Sequence, residues 1–322
     1  FRRVLFRSLE GAVCAPNLPL RAVAQFIKAG MRVFSTTGIT TSSSRRRSVA
    51  GGMVRSRRAT RRLLQAVCLC LALALSRAAA GEAADAVPLF TNLGTLHHPI
   101  TTTSERAQQY FDQGLRLVYA FNHEEAIHAF EEAARIDPTA AMAYWGIALA
   151  SGPNINSPMA KDDERRAWEA LQKARAQSSH VSPAEQRFIE ALGKRYSAKG
   201  GSRAGLDKAY ANAMRTVWQQ SSNDADAGTL FAEALMDLRP WDLWAADGRP
   251  HPGTEEIVST LEAVLSRASD HPGACHYYIH AVEASSKPER ALDCADRLPA
   301  LMPGAGHLVH MPARSEEHTS EL

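Results

Sequence analysis

His276, His280 and Glu283 stand at i, i+4 and i+7. On a helix of 3.6 residues per turn that spacing puts all three on one face. His307 and His310 follow, and His310 lies 34 residues after His276. Imidazole nitrogen and carboxylate oxygen are ligands for zinc, copper, nickel and iron, and two histidines one helical turn apart are well spaced to share an ion. These five residues are therefore candidate ligands for a divalent transition metal such as zinc. The pattern is not HExxH, because no glutamate stands between the two histidines to serve as a general base. With Tyr277 and Tyr278, the same side chains also suit hydrogen bonding between packed helices. The residues alone leave both readings open.

Other sources of chemistry are thin. The chain holds no P-loop, no GxGxxG, no GxSxG elbow and no zinc-ribbon cysteine pairs, so no catalytic residue is assigned. His97 and His98 precede the first helical pattern; they read as part of a solvated tail, or as extra ligands if that tail folds inward. His123 and His128 are expected on the turn and outer face of the first hairpin. Trp241 and Trp244 sit in a Trp- and Pro-rich loop, RPWDLWAADGRPHPG (239–253). Such a loop either stacks on a ligand or plugs into the edge of the fold.

The elements that must position these groups are helices. From Ser104 onward the apolar spacing is helical and no long alternation suggests a strand. Ser104, Ser182 before Pro183, and Asn223 are start signals, and prolines punctuate the rest. Helices are expected as pairs near 183–198 and 203–220, then over 224–238, 255–269 and 273–299. In AQQYFDQGLRLVYAFNHEEAIHAFEEAARIDP (107–138), Gly114 is followed twelve residues later by Ala126, then by Phe130, Ala133 and Pro138. Small residues let two helices approach, Phe130 fills the space between them, and Pro138 ends the second.

That spacing resembles the tetratricopeptide (TPR) repeat, whose period is 34 residues. LHHPITTTSERAQQYFDQGLRLVYAFNHEEAIHAF, YWGIALASGPNINSPM, LRPWDLW, HPGACHYYIHAVEAS and GAGHLVHMPA further resemble a group of secreted bacterial TPR proteins, over most of 94–313. The resemblance implies an all-α solenoid of about four to five antiparallel helix hairpins. It implies a concave groove that holds a protein or peptide partner, and it implies no particular reaction. His276, His280 and Glu283 fall at groove-facing positions of their repeat. Phe111, Leu115 and Val118 take the equivalent positions in the first repeat, and Trp145 and Leu149 in the second. An apolar groove of this kind suits a peptide or amphipathic helix, unless the chain's own N-terminal tail or further C-terminal repeats cover it.

Charge and cysteines set further bounds. The whole chain carries +3, yet residues 81–313 hold 21 Lys and Arg against 30 Asp and Glu, a balance of −9. That argues against nucleic acid, which requires a basic footprint. Met53 opens a basic segment followed by the apolar run LLQAVCLCLALAL (63–75) and small residues to Ala80. This is the layout of a signal peptide over 53–80, too short for a comfortable membrane span. It predicts a periplasmic or extracellular protein with no span after cleavage. Cys275 and Cys294 are then the cysteines left in an oxidising compartment, where a disulfide is permitted but marginal in geometry. One back-translation of FRRVLFRS (1–8) reads RSEEHTSE on its complementary strand, and that string recurs at 314–321. Both ends, 1–8 and 314–322, are therefore expected to derive from adapter DNA, and 1–52 from sequence outside the natural protein. Residues 81–103 are expected to be extended, and 104–313 to be a repeat domain truncated at its C-terminus.

Overall fold

The computed structural model describes residues 87–320 except Lys199, with side chains as far as Ala313. The expected leader (53–80) and the stretch 1–52 lie outside the described residues. Among the described residues the fold is all-α, with no strand beyond isolated bridges at Asn154–Ser157 and Trp244–Pro250. No helix among them is long and apolar enough to cross a membrane.

After an extended strap, residues 87–103, the helices follow in pairs. They are α1 (Glu105–Tyr119) with α2 (His123–Ile136), α3 (Ala141–Ala150) with α4 (Lys161–Gln177), and α5 (Pro183–Leu192) with α6 (Arg203–Gln220). Next come α7 (Ala225–Met236) with α8 (Thr254–Leu265), and α9 (Pro272–Val282) with α10 (Leu292–Leu301). A final helix, α11, runs Gly306–Ser320. Each helix packs on the next, and most connections are short, which makes the pairs antiparallel hairpins. This is the expected α-solenoid, with five hairpins and one further helix among the described residues.

Local chemistry explains the boundaries. Ser104 caps α1 by accepting from the Ala107 amide. Ser182 and Glu185 form a reciprocal capping box at α5, with Pro183 in the first turn. Asp224, one residue beyond the expected Asn223, caps α7. Helix α1 ends in a Schellman turn, in which the Asn122 amide donates to Leu117 O and the Phe121 amide to Val118 O.

The first three helices lock around Phe130. A Cβ built on Gly114 of α1 would lie 2.6 Å from its ring, and one on Gly146 of α3 would lie 2.5 Å from it. Both glycines are the room that the aromatic fills. Inner helices, the first of each hairpin, also touch (α1 with α3, α3 with α5, α7 with α9), and α9 returns to pack against α1. The array thus bends until its fifth hairpin meets its first. A Cβ on Gly273 would stand 2.5 Å from the Tyr119 ring at that closure.

Replacing an exposed helical glycine by alanine gains about 1 kcal/mol. At Gly146 overpacking against Phe130 reverses the sign. Gly146→Ala is expected to destabilise the protein by roughly 1–3 kcal/mol, read as a lower urea midpoint at unchanged m-value.

Candidate metal centre

The end of α1 and the start of α9 meet at Tyr119. Its hydroxyl donates to Asp226 Oδ1 at 2.6 Å, and its carbonyl lies 2.6 Å from His276 Nδ1. A carbonyl only accepts, so His276 carries its proton on Nδ1 and turns Nε2 the other way. There Nε2 meets His307 Nε2 at 2.9 Å. His280, one turn along α9, places Nδ1 3.2 Å from Glu283 Oε1, and its Nε2 is buried with no hydrogen-bond partner among the described residues. One ring nitrogen from each of His276, His280 and His307 lies within 4.8 Å of the others. Around a tetrahedral zinc with bonds of 2.0–2.1 Å, such nitrogens stand about 3.4 Å apart, within reach of small ring rotations.

Aromatic rings wall the cluster. Phe121 lies edge-on to His276 at 4.5 Å and within 6.0 Å of His280 and His307. Trp241 meets His280 edge-on at 5.3 Å. Phe121 (φ 56°) and Trp241 (φ 60°) are the non-glycine residues with left-handed backbone among the described residues. Left-handed φ costs an L side chain about 1–2 kcal/mol, and the helix-end position of Phe121 normally takes Gly or Asn. Strain of this kind gathers where surrounding structure holds a functional group in place. A small pocket of about 50 Å³ between Met236, Arg239, Trp241 and Trp244 reaches His280 and Glu283.

The sequence expectations divide accordingly. His276, His280 and His307 come together. Glu283 is buried beside them, with Oε1 3.2 Å from His280 Nδ1, and is not in the group of three converging nitrogens. His310 is exposed and does not join; α11 begins at Gly306, and this places His307, one turn earlier, level with His276. Phe111, Leu115, Val118, Trp145 and Leu149 are all buried core residues, with α9 packed against α1 and His98 of the strap against Phe111. Trp145 Nε1 donates to Phe188 O across to α5. Cys275 and Cys294 are buried free thiols, without a disulfide. Of the loop tryptophans, Trp244 plugs into α9 by donating to Ala281 O at 2.7 Å, while Trp241 stays half-exposed over His280. His128 is exposed, as expected. His123 instead begins α2 stacked on Phe121, where burial, with the Arg195 charge acting in the same direction, takes its pKa down to about 4.

The strap is not a solvated tail. Helix α1 holds its backbone: Tyr110 donates to Val87 O, Gln113 bridges Pro88 O and the Phe90 amide, and Gln108 bridges His98 O and the Ile100 amide. His97 binds Asp112, and His98 Nδ1 lies 2.8 Å from Asp226 Oδ2. His98 thus stands away from the imidazole cluster, in a second group with Asp224 and Asp226. Asp226 also faces His271 Nε2 at 3.1 Å. Burial alone would raise the Asp226 pKa, but hydrogen bonds from His271 and His98 outweigh it and hold the group well below the carboxylate range. Burial would likewise lower His98, yet the Asp226 hydrogen bond and nearby carboxylates raise it above its ordinary 6.5. Sequence reasoning missed Asp226, Tyr119 and Phe121. Only Phe121 had a local signal, as a bulky residue at a helix end.

No protein-family model matches the chain, and no curated protein matches it. Among solved structures it is similar to YrrB, described as a TPR protein with an unusual peptide-binding site, at 17% identity over 64% of this chain and 92% of that chain, with a TM-score of 0.31. The hairpin architecture rests on the packing described above, not on that likeness.

Asp226→Asn removes the charged acceptor shared by Tyr119, His98 and His271. It is expected to lower stability by roughly 2–4 kcal/mol. The depressed Asp226 contributes fully above its ordinary 3.8 and loses its contribution as pH falls through its folded value. The raised His98 contributes fully below 6.5 and loses its contribution as pH rises through its folded value. The gap between the two proteins should therefore be widest between pH 3.8 and 6.5 and narrow above it, measured by urea unfolding across pH.

Proposed function

We propose that this protein binds a transition-metal ion, and that His276, His280 and His307 hold it. The observation that supports this most is the convergence of three imidazole nitrogens, with one Nε2 facing another at 2.9 Å. Two lone pairs do not face one another at that distance without a proton or a cation between them. The Tyr119 carbonyl behind His276 and the Glu283 carboxylate behind His280 are the outer partners that fix tautomer and raise ligand basicity in metal sites. Zinc and copper suit such a set. Three protein ligands leave a position for water or a small molecule. The reading assigns binding, not a reaction.

A second reading, a helical scaffold for a protein or peptide partner, is supported by the strap. Helix α1 grips it through backbone atoms, as a groove grips an extended peptide irrespective of sequence. The basic-then-apolar segment 53–80 supports a periplasmic or extracellular location for either role.

Elemental analysis after zinc loading and gel filtration tests the metal reading. About one ion per chain is expected in the parent and in His310→Ala. His276→Ala/His280→Ala should lose it while keeping its helical circular dichroism. An absence of bound zinc, copper and iron in the parent sinks the reading.

A further inference from the structure

The third ligand differs from the other two in how it is placed. His276 and His280 stand on α9, the inner helix of the fifth hairpin, which packs against α1. His307 lies in the first turn of α11, and the turn leading into α11 is braced by the strap. The Gly304 amide donates to Asn92 O at 2.7 Å. A Cβ on Gly304 would fall 2.4 Å from the Asn92 side chain, which would have to turn aside for any larger residue there. Two residues along, Gly94 has φ +77°, and a Cβ there would lie 2.2 Å from Leu301 O. Leu93 between them is buried in the core, as are Met302, Ala305, Leu308 and Met311 on the other side of the contact.

The same strap is anchored at its far end to the first hairpin and α7. Arg116 Nε donates to Leu96 O at 2.7 Å, and His98 binds Asp226. Residues 92–98 therefore run from the turn that carries His307 to the carboxylate that ties α1, α7 and α9 together. His276 is fixed to that same centre through Tyr119.

We propose that the strap is the positioning element for His307, so that docking of residues 87–103 and occupancy of the metal site form one coupled equilibrium. This rests on the metal reading above. A seated strap holds the α10–α11 turn where His307 reaches His276. A bound ion, by holding His307, keeps that turn against the strap. The coupling is reciprocal by linkage: whatever factor the strap adds to metal affinity, the metal adds to strap docking.

Two measurements test it. The first is zinc affinity by chelator competition, with the cobalt(II) visible spectrum as a readout of ligand geometry, on the parent, Gly304→Ala and Gly304→Ala/Asn92→Gly. The methyl group of Gly304→Ala displaces Asn92. It should weaken zinc about 10- to 100-fold, the range for loss of an outer support, and alter the cobalt bands. Removing the Asn92 side chain in the double variant makes room for the methyl and should restore both. The second is hydrogen exchange of the Phe90, His98 and Ile100 amides, which the strap contacts protect. Zinc should slow their exchange in the parent and leave it unchanged in His307→Ala.

If the parent binds no zinc or cobalt, the metal reading itself has failed. If the parent binds zinc while Gly304→Ala binds equally well and strap exchange ignores the metal, the metal site stands and the coupling is overturned. If Gly304→Ala does not fold, exchange in the parent and His307→Ala decides.

Discussion

Asp226 is a buried carboxylate that accepts from the Tyr119 hydroxyl and from the rings of His98 and His271. Those donors belong to α1, to the strap and to the cap of α9, while Asp226 itself belongs to α7. An ionised carboxylate is costly to bury unless its lone pairs are filled, and here each donor arrives from a different part of the chain. The requirement to satisfy one anion is thus a requirement to bend the array until its first, fourth and fifth hairpins meet. The closed core, the burial of the inner apolar residues and the seating of the strap follow from that closure.

Tyr119 carries the closure into the imidazole cluster. Its hydroxyl serves Asp226 and its carbonyl serves His276, so a side chain and its own backbone connect the two polar centres. Phe121, two residues on, adopts the left-handed turn that ends α1 and lays its ring against His276, His280 and His307. A glycine would relax that turn at no cost but would leave the imidazoles without their apolar wall. A dry, shaped surround controls solvent access and the basicity of ligands.

Much of the local structure was legible in the sequence. Gly114, Ala126, Phe130 and Pro138 gave the first hairpin because helix approach and helix termination depend on residue size and on proline. Ser104 and Ser182 gave two helix starts because a hydroxyl at that position satisfies an orphan amide. His276 and His280 came together because one helix carries both. What eluded the sequence is long-range. Phe111, Leu115, Val118, Trp145 and Leu149 sit at groove positions of an open array, and nothing near them in sequence announces that α9 returns against α1. The strap leaves no pattern either, since α1 grips it mainly by its backbone. Of the two histidines expected there, His307 joins and His310 does not, a matter of one turn of helix register fixed by where α11 begins after Gly304.

Closure also changes how the molecule can come apart. Open repeat arrays fold and fray from their ends, because each unit touches only its neighbours. Here the carbonyl of Tyr119 and the ring of His276 meet across 157 residues of chain, so the first hairpin cannot melt without uncovering the fifth. Such contacts raise contact order and slow folding. During synthesis the early hairpins stand with an unsealed inner face until α9 has emerged. A repeat protein built this way trades piecewise unravelling for a single cooperative transition, and its early hairpins expose apolar surface until α9 closes over them.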